Sequence, residues 1–234
     1  MFVVVCTWFL VRLKSLSLQA MARLLSYIYP ITKKIESDIN GTLELTWYNG
    51  RKYLNSKNAN YSYGSLQRIL KFGLDKVDLT KVNSVLLLGL GGGSVIETLR
   101  KDFNYLELIT AIEIDPVIIR IAKEEFQLDT IKNVEIICED ALNYVEKSQE
   151  KFDLIIIDLF IDTQVPEQFL KLHFWKRLLS LKSTNGILLF NASLETTMGS
   201  KLKTIIQFLK SHVYSLEIYE KVNKTNTIIL TSSL

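Results

Sequence analysis

The stretch "VLLLGLGGGSVIET" at residues 85–98 constrains the fold more than any other part of the sequence. An apolar run breaks into glycines and then continues with helix-forming residues, which is typical of a buried strand that leads through a loop into a helix. Glycine lets the backbone turn sharply and approach a ligand closely, because it has no Cβ. Gly89, Gly91 and Gly93 are therefore candidates for a ligand-binding loop. The pattern alone does not identify the ligand.

Strand-like and helix-like segments alternate after this loop. Apolar runs predict strands at 84–88, 107–114, 133–138, 153–158 and 186–190. The intervening patterns predict helices near 93–102, 116–126, 140–147, 166–181 and 197–211. This alternation predicts an α/β fold with a doubly wound, mainly parallel sheet that is covered on both faces.

Antiparallel strand pairs are predicted at both ends of this pattern. The strand-like runs 213–222 and 226–233 lie too close together for a crossover helix, so they must form an antiparallel C-terminal hairpin. Residues 43–56 contain two β-prone runs joined by Asn49-Gly50, a pair that is favoured in tight hairpin turns. A small N-terminal β-hairpin is therefore expected before a helix within 61–74.

The first 20 residues differ from the rest of the chain. Phe2 to Val11 are apolar, but this run is too short to span a bilayer, and its positive charges follow it, whereas they precede the apolar run of a signal peptide. We favour an upstream extension before a start at Met21 over a signal or an anchor. We divide the chain into an N-terminal extension (1–38, with 1–20 outside the native fold), a small β-hairpin region (39–60) and an α/β domain (61–234).

Composition argues against several classes of function. The chain has 234 residues, 48% of them hydrophobic, which predicts a folded, soluble protein without membrane association. A net charge of +3 with dispersed lysines gives no sign of nucleic-acid binding. Two histidines and two cysteines, with no spaced ligand set, predict no metal site. Cys138 lies in a predicted core strand, so we expect reduced thiols and a cytoplasmic location.

Acidic residues stand where the next three strands end. In open α/β sheets, ligands bind at the carboxyl ends of the strands. Glu113 follows the glycines by about twenty residues, the position of a carboxylate that binds ribose hydroxyls. Asp140 is able to accept a hydrogen bond from an adenine amino group or to cap a helix. Asp158 ends an apolar strand, where a carboxylate costs desolvation energy unless it has a partner or a chemical role.

From about Ile39 to Leu230 the chain resembles the polyamine aminopropyltransferases, the spermidine synthases of polyamine biosynthesis. The resemblance rests on the order of "VLLLGLGGGS", "AIEIDPVII", "EDALNYV", "FDLIIIDLF" and "NGILLFN", preceded by "NYSYGSLQ". It implies a Rossmann-like domain of the class I S-adenosylmethionine-dependent methyltransferase fold. The implied co-substrate is S-adenosylmethionine or its decarboxylated form, and the implied partner is a small-molecule amine or another small nucleophile. The family often forms dimers, so the resemblance allows a homodimer.

The resemblance also implies roles for individual residues. Asp158 matches the family's proton acceptor, and Tyr63 is a candidate hydrogen-bonding wall of the amine site. The residues implied on the nucleoside side are Gly89, Gly91 and Gly93 along the sulfonium nucleoside, Glu113 at its ribose, and Asp140 with Ala141 at its adenine.

The chain departs from the family pattern on the amine side. Spermidine synthases usually carry a second aspartate three residues after the first, where this chain has Ile161, with Asp162 one position later. They also carry a Gln-Glu pair where this chain has Gly64-Ser65. Binding of the nucleoside donor is therefore a safer inference than the identity of the acceptor.

Three interpretations stay open from the sequence. The first is aminopropyl transfer to an amine, with Asp158 as general base. The second is methyl transfer from S-adenosylmethionine, in which the altered loop 159–166 serves another nucleophile. The third is a non-catalytic nucleoside-binding protein that kept the fold. A nicotinamide-dependent dehydrogenase ranks last, because it requires neither Asp140 nor Asp158.

Overall fold

The computed structural model describes residues 18–56, 60–62, 64–161, 164–193 and 199–232. The strands are β1 (Ile31–Ser37), β2 (Gly41–Tyr48), β3 (Arg51–Asn55), β4 (Asn60–Ser62), β5 (Ser84–Leu88), β6 (Leu108–Glu113), β7 (Val134–Cys138), β8 (Phe152–Ile157), β9 (Lys182–Ser193), β10 (Ser215–Val222) and β11 (Asn226–Ser232). The α-helices are α1 (Leu18–Leu25), α2 (Ser65–Leu74), α3 (Ser94–Lys101), α4 (Pro116–Phe126), α5 (Ala141–Lys147), α6 (Leu172–Leu181) and α7 (Gly199–Lys210).

A seven-stranded sheet, in the order β10-β11-β9-β8-β5-β6-β7, forms the centre of the fold. The five strands from β9 to β7 in this order are parallel, whereas β10 and β11 are antiparallel to their neighbours. The chain runs from β5 outward to β7 and then crosses to β8 on the other side of β5. The predicted α/β class, the doubly wound and mainly parallel sheet, and the antiparallel C-terminal hairpin are confirmed.

The central strands are buried on both faces, because successive residues alternate between two apolar cores. Leu86 and Leu88 of β5 pack in a core with α5, α6 and α7. Val85 and Leu87 pack in the opposite core with α2, α3 and α4. All four side chains are fully buried, and each burial of this size contributes roughly 1.5–3 kcal/mol. The loops at the carboxyl ends of these strands therefore rest on a rigid base.

The N-terminal sheet is larger than the predicted hairpin. The β2–β3 hairpin with its turn at Asn49 and Gly50 is confirmed, and both turn residues have positive φ. Two further strands extend it to a four-stranded sheet, β1-β2-β3-β4. β1 lies within the residues assigned to the N-terminal extension. Its sequence "ITKKIES" does not predict a strand, because Ile31 and Ile35 are its only apolar residues. Both side chains are half-buried in the structure.

This sheet is attached to α4 by apolar and polar contacts. Its buried leucines pack against Ile118 and Ile121 of α4. Asp115 caps α4 by accepting a hydrogen bond from the Val117 N–H at 2.8 Å. Its second carboxylate oxygen accepts hydrogen bonds from the Ser37 hydroxyl and from the Asn40 side-chain amide, the latter at 2.7 Å. The turn between β1 and β2 is thereby fixed beside the end of β6.

Several predicted segments differ in the structure. The predicted helix 166–181 divides into a short 3-10 helix, Glu167–Leu170, and α6. β9 extends well beyond the predicted strand 186–190 at both ends. The prediction that Cys138 lies in the core was wrong: β7 is an edge strand of the sheet, and the Cys138 side chain is exposed. Within the described residues, no helix combines the length and hydrophobicity needed to cross a membrane.

Asp115→Ala tests the attachment of the N-terminal sheet. We expect the free energy of unfolding to fall by about 2–3 kcal/mol, because a helix cap is lost and the Ser37 and Asn40 donors lose their acceptor. Asp78→Ala is the matched control, since Asp78 caps an exposed 3-10 helix through the Thr80 N–H. Urea denaturation measures both variants. Equal losses would show that the contacts to the N-terminal sheet contribute nothing.

Candidate functional site

The glycine loop lies between the ends of β6 and β8. The Gly89 N–H donates to the Ile112 carbonyl at 2.9 Å. A Cβ at Gly89 would overlap the backbone carbonyl of Asp158, and its φ of 92° disfavours any other residue. Gly91 and Gly93 also have positive φ, and Gly93 is the N-cap residue of α3. The loop's backbone path therefore requires glycine, whatever ligand it binds.

Glu113, the last residue of β6, holds this loop in place. Its Oε2 atom accepts hydrogen bonds from the N–H groups of Leu90 at 3.1 Å and Gly91 at 3.3 Å. Its Oε1 atom accepts from the Asp115 N–H at 3.0 Å. Burial raises the pKa of Glu113, the three backbone hydrogen bonds oppose that effect, and the charge of Asp115 adds to it. The carboxylate thus organises the loop, and among the described residues Oε1 accepts one hydrogen bond where Oε2 accepts two; the role of Glu113 at a ribose stays a prediction.

Asp158 follows β8 directly, and its N–H donates to the Leu88 carbonyl at 2.9 Å. Its Oδ1 atom accepts a hydrogen bond from the Asn191 side-chain amide at 2.8 Å. Desolvation raises the pKa of Asp158 to about 6; the Asn191 hydrogen bond lowers the pKa, and the charge of Glu113 raises it. A carboxyl group with this pKa is able to take up or release a proton near neutral pH.

Asp140 is the cap of α5, one of the two roles that the sequence left open. Its Oδ1 atom accepts from the Leu142 N–H at 2.8 Å, and its Oδ2 atom accepts a long hydrogen bond of 3.4 Å from the Gln168 side chain. Ala141 is buried in the first turn of α5. The adenine roles of Asp140 and Ala141 stay predictions.

Sheet order brings most of the predicted residues to one edge. Asp158, the glycine loop, Glu113 and Asp140 lie at the carboxyl ends of β8, β5, β6 and β7, which are neighbours in that order. The crossing from β7 back to β8 makes the β5/β8 boundary the point where strand order reverses, which is where open α/β sheets bind ligands. Tyr63 and Asp162 lie outside the described residues. Ile161 is described, and its side chain is 48% exposed.

Two asparagines behind Asp158 were not predicted. Asn191 is fully buried on β9, and its Oδ1 atom accepts a hydrogen bond from the Asn226 side-chain amide at 2.8 Å. Asn191 follows the apolar run "GILLF", as Asp158 follows "DLIII", so the signal that found Asp158 was also available for Asn191. Asn226 follows a polar turn and carries no comparable signal.

Residues 69–223 match the family model of the spermine/spermidine synthase domain. The chain belongs to the spermine/spermidine synthase family. A curated family relative, the polyamine aminopropyltransferase of Vibrio vulnificus, is 27% identical over 158 residues, which cover 65% of this chain and 52% of the relative. The chain spans about half the length of the polyamine aminopropyltransferases of Vibrio vulnificus and Buchnera aphidicola.

Solved structures confirm the fold of this family member. A probable spermidine synthase from Corynebacterium glutamicum superposes with a TM-score of 0.63 at 17% identity, covering 87% of this chain and 77% of the other. Human Methyltransferase-like protein 13 in complex with SAH superposes with a TM-score of 0.62 at 21% identity, covering 74% of this chain and 83% of the other. The resemblance seen in the sequence and the methyltransferase-like fold are therefore confirmed.

Gly89→Ala tests the close approach of the glycine loop to β8. We expect a loss of about 3 kcal/mol or more in the free energy of unfolding, because the new methyl group overlaps backbone and the backbone conformation is strained. Gly199→Ala is the control, since a Cβ there meets open space, and its effect should stay below about 1 kcal/mol. Chemical denaturation compares the two. A tolerated Gly89→Ala would contradict the packing described for this loop.

Proposed function

We propose that this chain transfers an aminopropyl group from decarboxylated S-adenosylmethionine to a small amine, with Asp158 as the general base. The observation that carries the proposal is Asp158, whose backbone lies against Gly89 of the glycine loop and whose carboxyl has a pKa raised to about 6 by desolvation. Membership of the spermine/spermidine synthase family supports the same reaction.

The chemistry requires a base at this position. A diamine at neutral pH is mostly protonated, so its nitrogen has no lone pair for attack until a proton leaves. Asp158 accepts that proton. The nitrogen lone pair then forms a bond to the carbon next to the sulfonium, the carbon–sulfur bond breaks, and its electrons neutralise the sulfur. The products are a secondary ammonium ion, which carries the transferred group and the positive charge, and a neutral thioether.

The charge distribution favours the decarboxylated donor. Glu113 and Asp158 interact electrostatically at the edge of the sheet, in a chain whose net charge is +3. Such a pair attracts a cationic sulfonium and a cationic amine, and it repels the carboxylate of intact S-adenosylmethionine. Glu113 offers its remaining acceptor position to a ribose hydroxyl. Asp140 offers Oδ2, which Gln168 holds only loosely, to an adenine amino group.

Methyl transfer is the second candidate, and one observation favours it. Ile161, which stands where the family usually has a second aspartate, is exposed and pairs with Gln164 through two backbone hydrogen bonds of 2.9 and 3.2 Å. An apolar side chain there removes one anionic contact for a diamine. The structural similarity to Methyltransferase-like protein 13 is compatible with this alternative.

Calorimetric titration with three nucleosides distinguishes these functions. Decarboxylated S-adenosylmethionine, S-adenosylmethionine and methylthioadenosine are titrated side by side into the same preparation. A preference of about tenfold or more for the decarboxylated donor supports aminopropyl transfer, since one unfavourable charge contact is worth roughly 1.4 kcal/mol or more. Preference for the intact donor would establish the methyltransferase alternative. Binding of none of the three would overturn the nucleoside assignment.

Asp158→Asn tests the general base. Turnover should fall by about 100-fold or more, while the Kd of the donor changes by less than about threefold.

Because folding raises the pKa of this carboxyl, its ionised form lowers the free energy of unfolding above pH 6. The variant should thus be more stable than the parent by on the order of 2 kcal/mol at pH 8, and this gain should vanish near pH 4.

Asp153→Asn is the matched control at the other end of β8. Although burial acts to raise the pKa of Asp153, hydrogen bonds from Ser183 and Asn83 lower it overall. This substitution should therefore reduce stability at pH 8, the opposite sign to Asp158→Asn. Urea denaturation at several pH values measures both variants. Full activity of Asp158→Asn would remove the general-base role.

A further inference from the structure

Behind Asp158 lies a directed chain of side-chain amides. The Asn226 amide donates to Oδ1 of Asn191 at 2.8 Å, and the Asn191 amide donates to Oδ1 of Asp158 at 2.8 Å. Asn191 has no exposed surface, and Asn226 is half-buried at the start of β11. The register of the sheet places Ile228 opposite Asn191, so the two asparagines lie on adjacent strands two residues out of register.

An asparagine side chain has two orientations that differ in what they present to a neighbour. With Nδ2 toward Asp158, Asn191 donates to the carboxylate and stabilises the ionised base. With Oδ1 toward Asp158, the same side chain accepts from a protonated carboxyl and stabilises the acid. Because Asn191 is fully buried, no water is at hand to compensate for the wrong orientation. Ionised Asp158 favours the first orientation and protonated Asp158 the second, so a third group is needed to hold Asn191 in the first orientation in both states.

We propose that Asn226 is a positioning residue that locks the Asn191 amide in the orientation that donates to Asp158. By donating to Oδ1 of Asn191, it makes the reverse orientation place two N–H groups against each other. The importance of this lock for turnover rests on the proposed function, but the lock itself concerns only the three side chains. Asn226 acts on Asp158 through Asn191.

The surroundings of Asp158 leave few other groups that could set its protonation. β6 contributes Glu113, whose negative charge raises the pKa of Asp158. β5 contributes the uncharged backbone of Leu88 and Gly89, and β9 contributes Asn191. Within the described residues, the hydrogen bond from Asn191 is thus the one interaction that favours the ionised form of Asp158.

Asn226→Asp and Asn226→Leu test this lock in different ways. A carboxylate at this position only accepts hydrogen bonds, so it turns the Asn191 amide away from Asp158 and adds a nearby negative charge. Leucine removes the donor without adding charge. Asn223→Asp is the matched control, because it introduces the same charge in the exposed turn three residues away, and aspartate tolerates the positive φ of that site.

The primary readout needs no substrate. Carboxyl resonances of protein labelled with 13C at the aspartate side chains are titrated by NMR, and the Asp158 signal is assigned by its loss in Asp158→Asn. We expect Asn226→Asp to raise the apparent pKa of Asp158 by about one pH unit, Asn226→Leu to raise it by about half a unit, and Asn223→Asp to change it by less than about 0.2. No rise in either Asn226 variant, or an equal rise in the control, would overturn the proposal.

A second readout separates this inference from the proposed function. In an aminopropyl-transfer assay, the acidic limb of the kcat/KM profile should move to higher pH in the Asn226 variants by the same amount as the NMR titration, with the donor Kd unchanged. If the NMR titration moves and no turnover is found in the parent, the positioning role stands and the proposed function fails. If Asn226→Asp does not fold, Asn226→Leu alone decides the question by the same NMR criterion.

Discussion

The close approach between the glycine loop and β8 is the constraint on which the site depends. The backbone carbonyl of Asp158 occupies the space that a Cβ of Gly89 would need, so the ends of β5 and β8 are in direct backbone contact. This contact sets the Asp158 backbone directly against the glycine loop. Glu113 fixes the other side of the loop through the Leu90 and Gly91 N–H groups. The loop is therefore held between two acidic strand ends.

Burial of the carboxylates of Glu113 and Asp158 near each other costs free energy of folding. Hydrogen bonds to each carboxylate offset part of this cost. Glu113 is stabilised by three backbone N–H groups, whereas among the described residues Asp158 accepts a side-chain hydrogen bond from Asn191 alone. Their pKa values are both raised by burial. The site thus holds two carboxyl groups whose pKa values are raised: Glu113 supports the loop through three backbone N–H donors, and Asp158 accepts a hydrogen bond from the Asn191 amide.

The residues at the strand ends are predictable from the sequence, whereas the side-chain contacts between neighbouring strands are not. Glu113 and Asp158 were predictable because an acidic residue at the end of an apolar run can be recognised in the sequence. The parallel sheet was predictable from the alternation of strands and helices. The Asn191–Asn226 pair joins strands whose register is decided by packing, 35 residues apart. The exposure of Cys138 likewise depends on β7 being the edge strand, which only the strand order reveals. The sequence of β1 does not predict a strand, because Ile31 and Ile35 are its only apolar residues.

Asp115 connects the α/β domain to the N-terminal sheet. Its N–H supports Glu113, and its buried carboxylate receives the Ser37 and Asn40 side chains of the N-terminal sheet. A shortened protein that began at α2 would strip these two donors from a carboxylate only 1% exposed in the intact chain. It would also uncover Ile118 and Ile121. The smaller sheet therefore contributes to the stability of the α/β domain, and excision of that domain would lose this contribution.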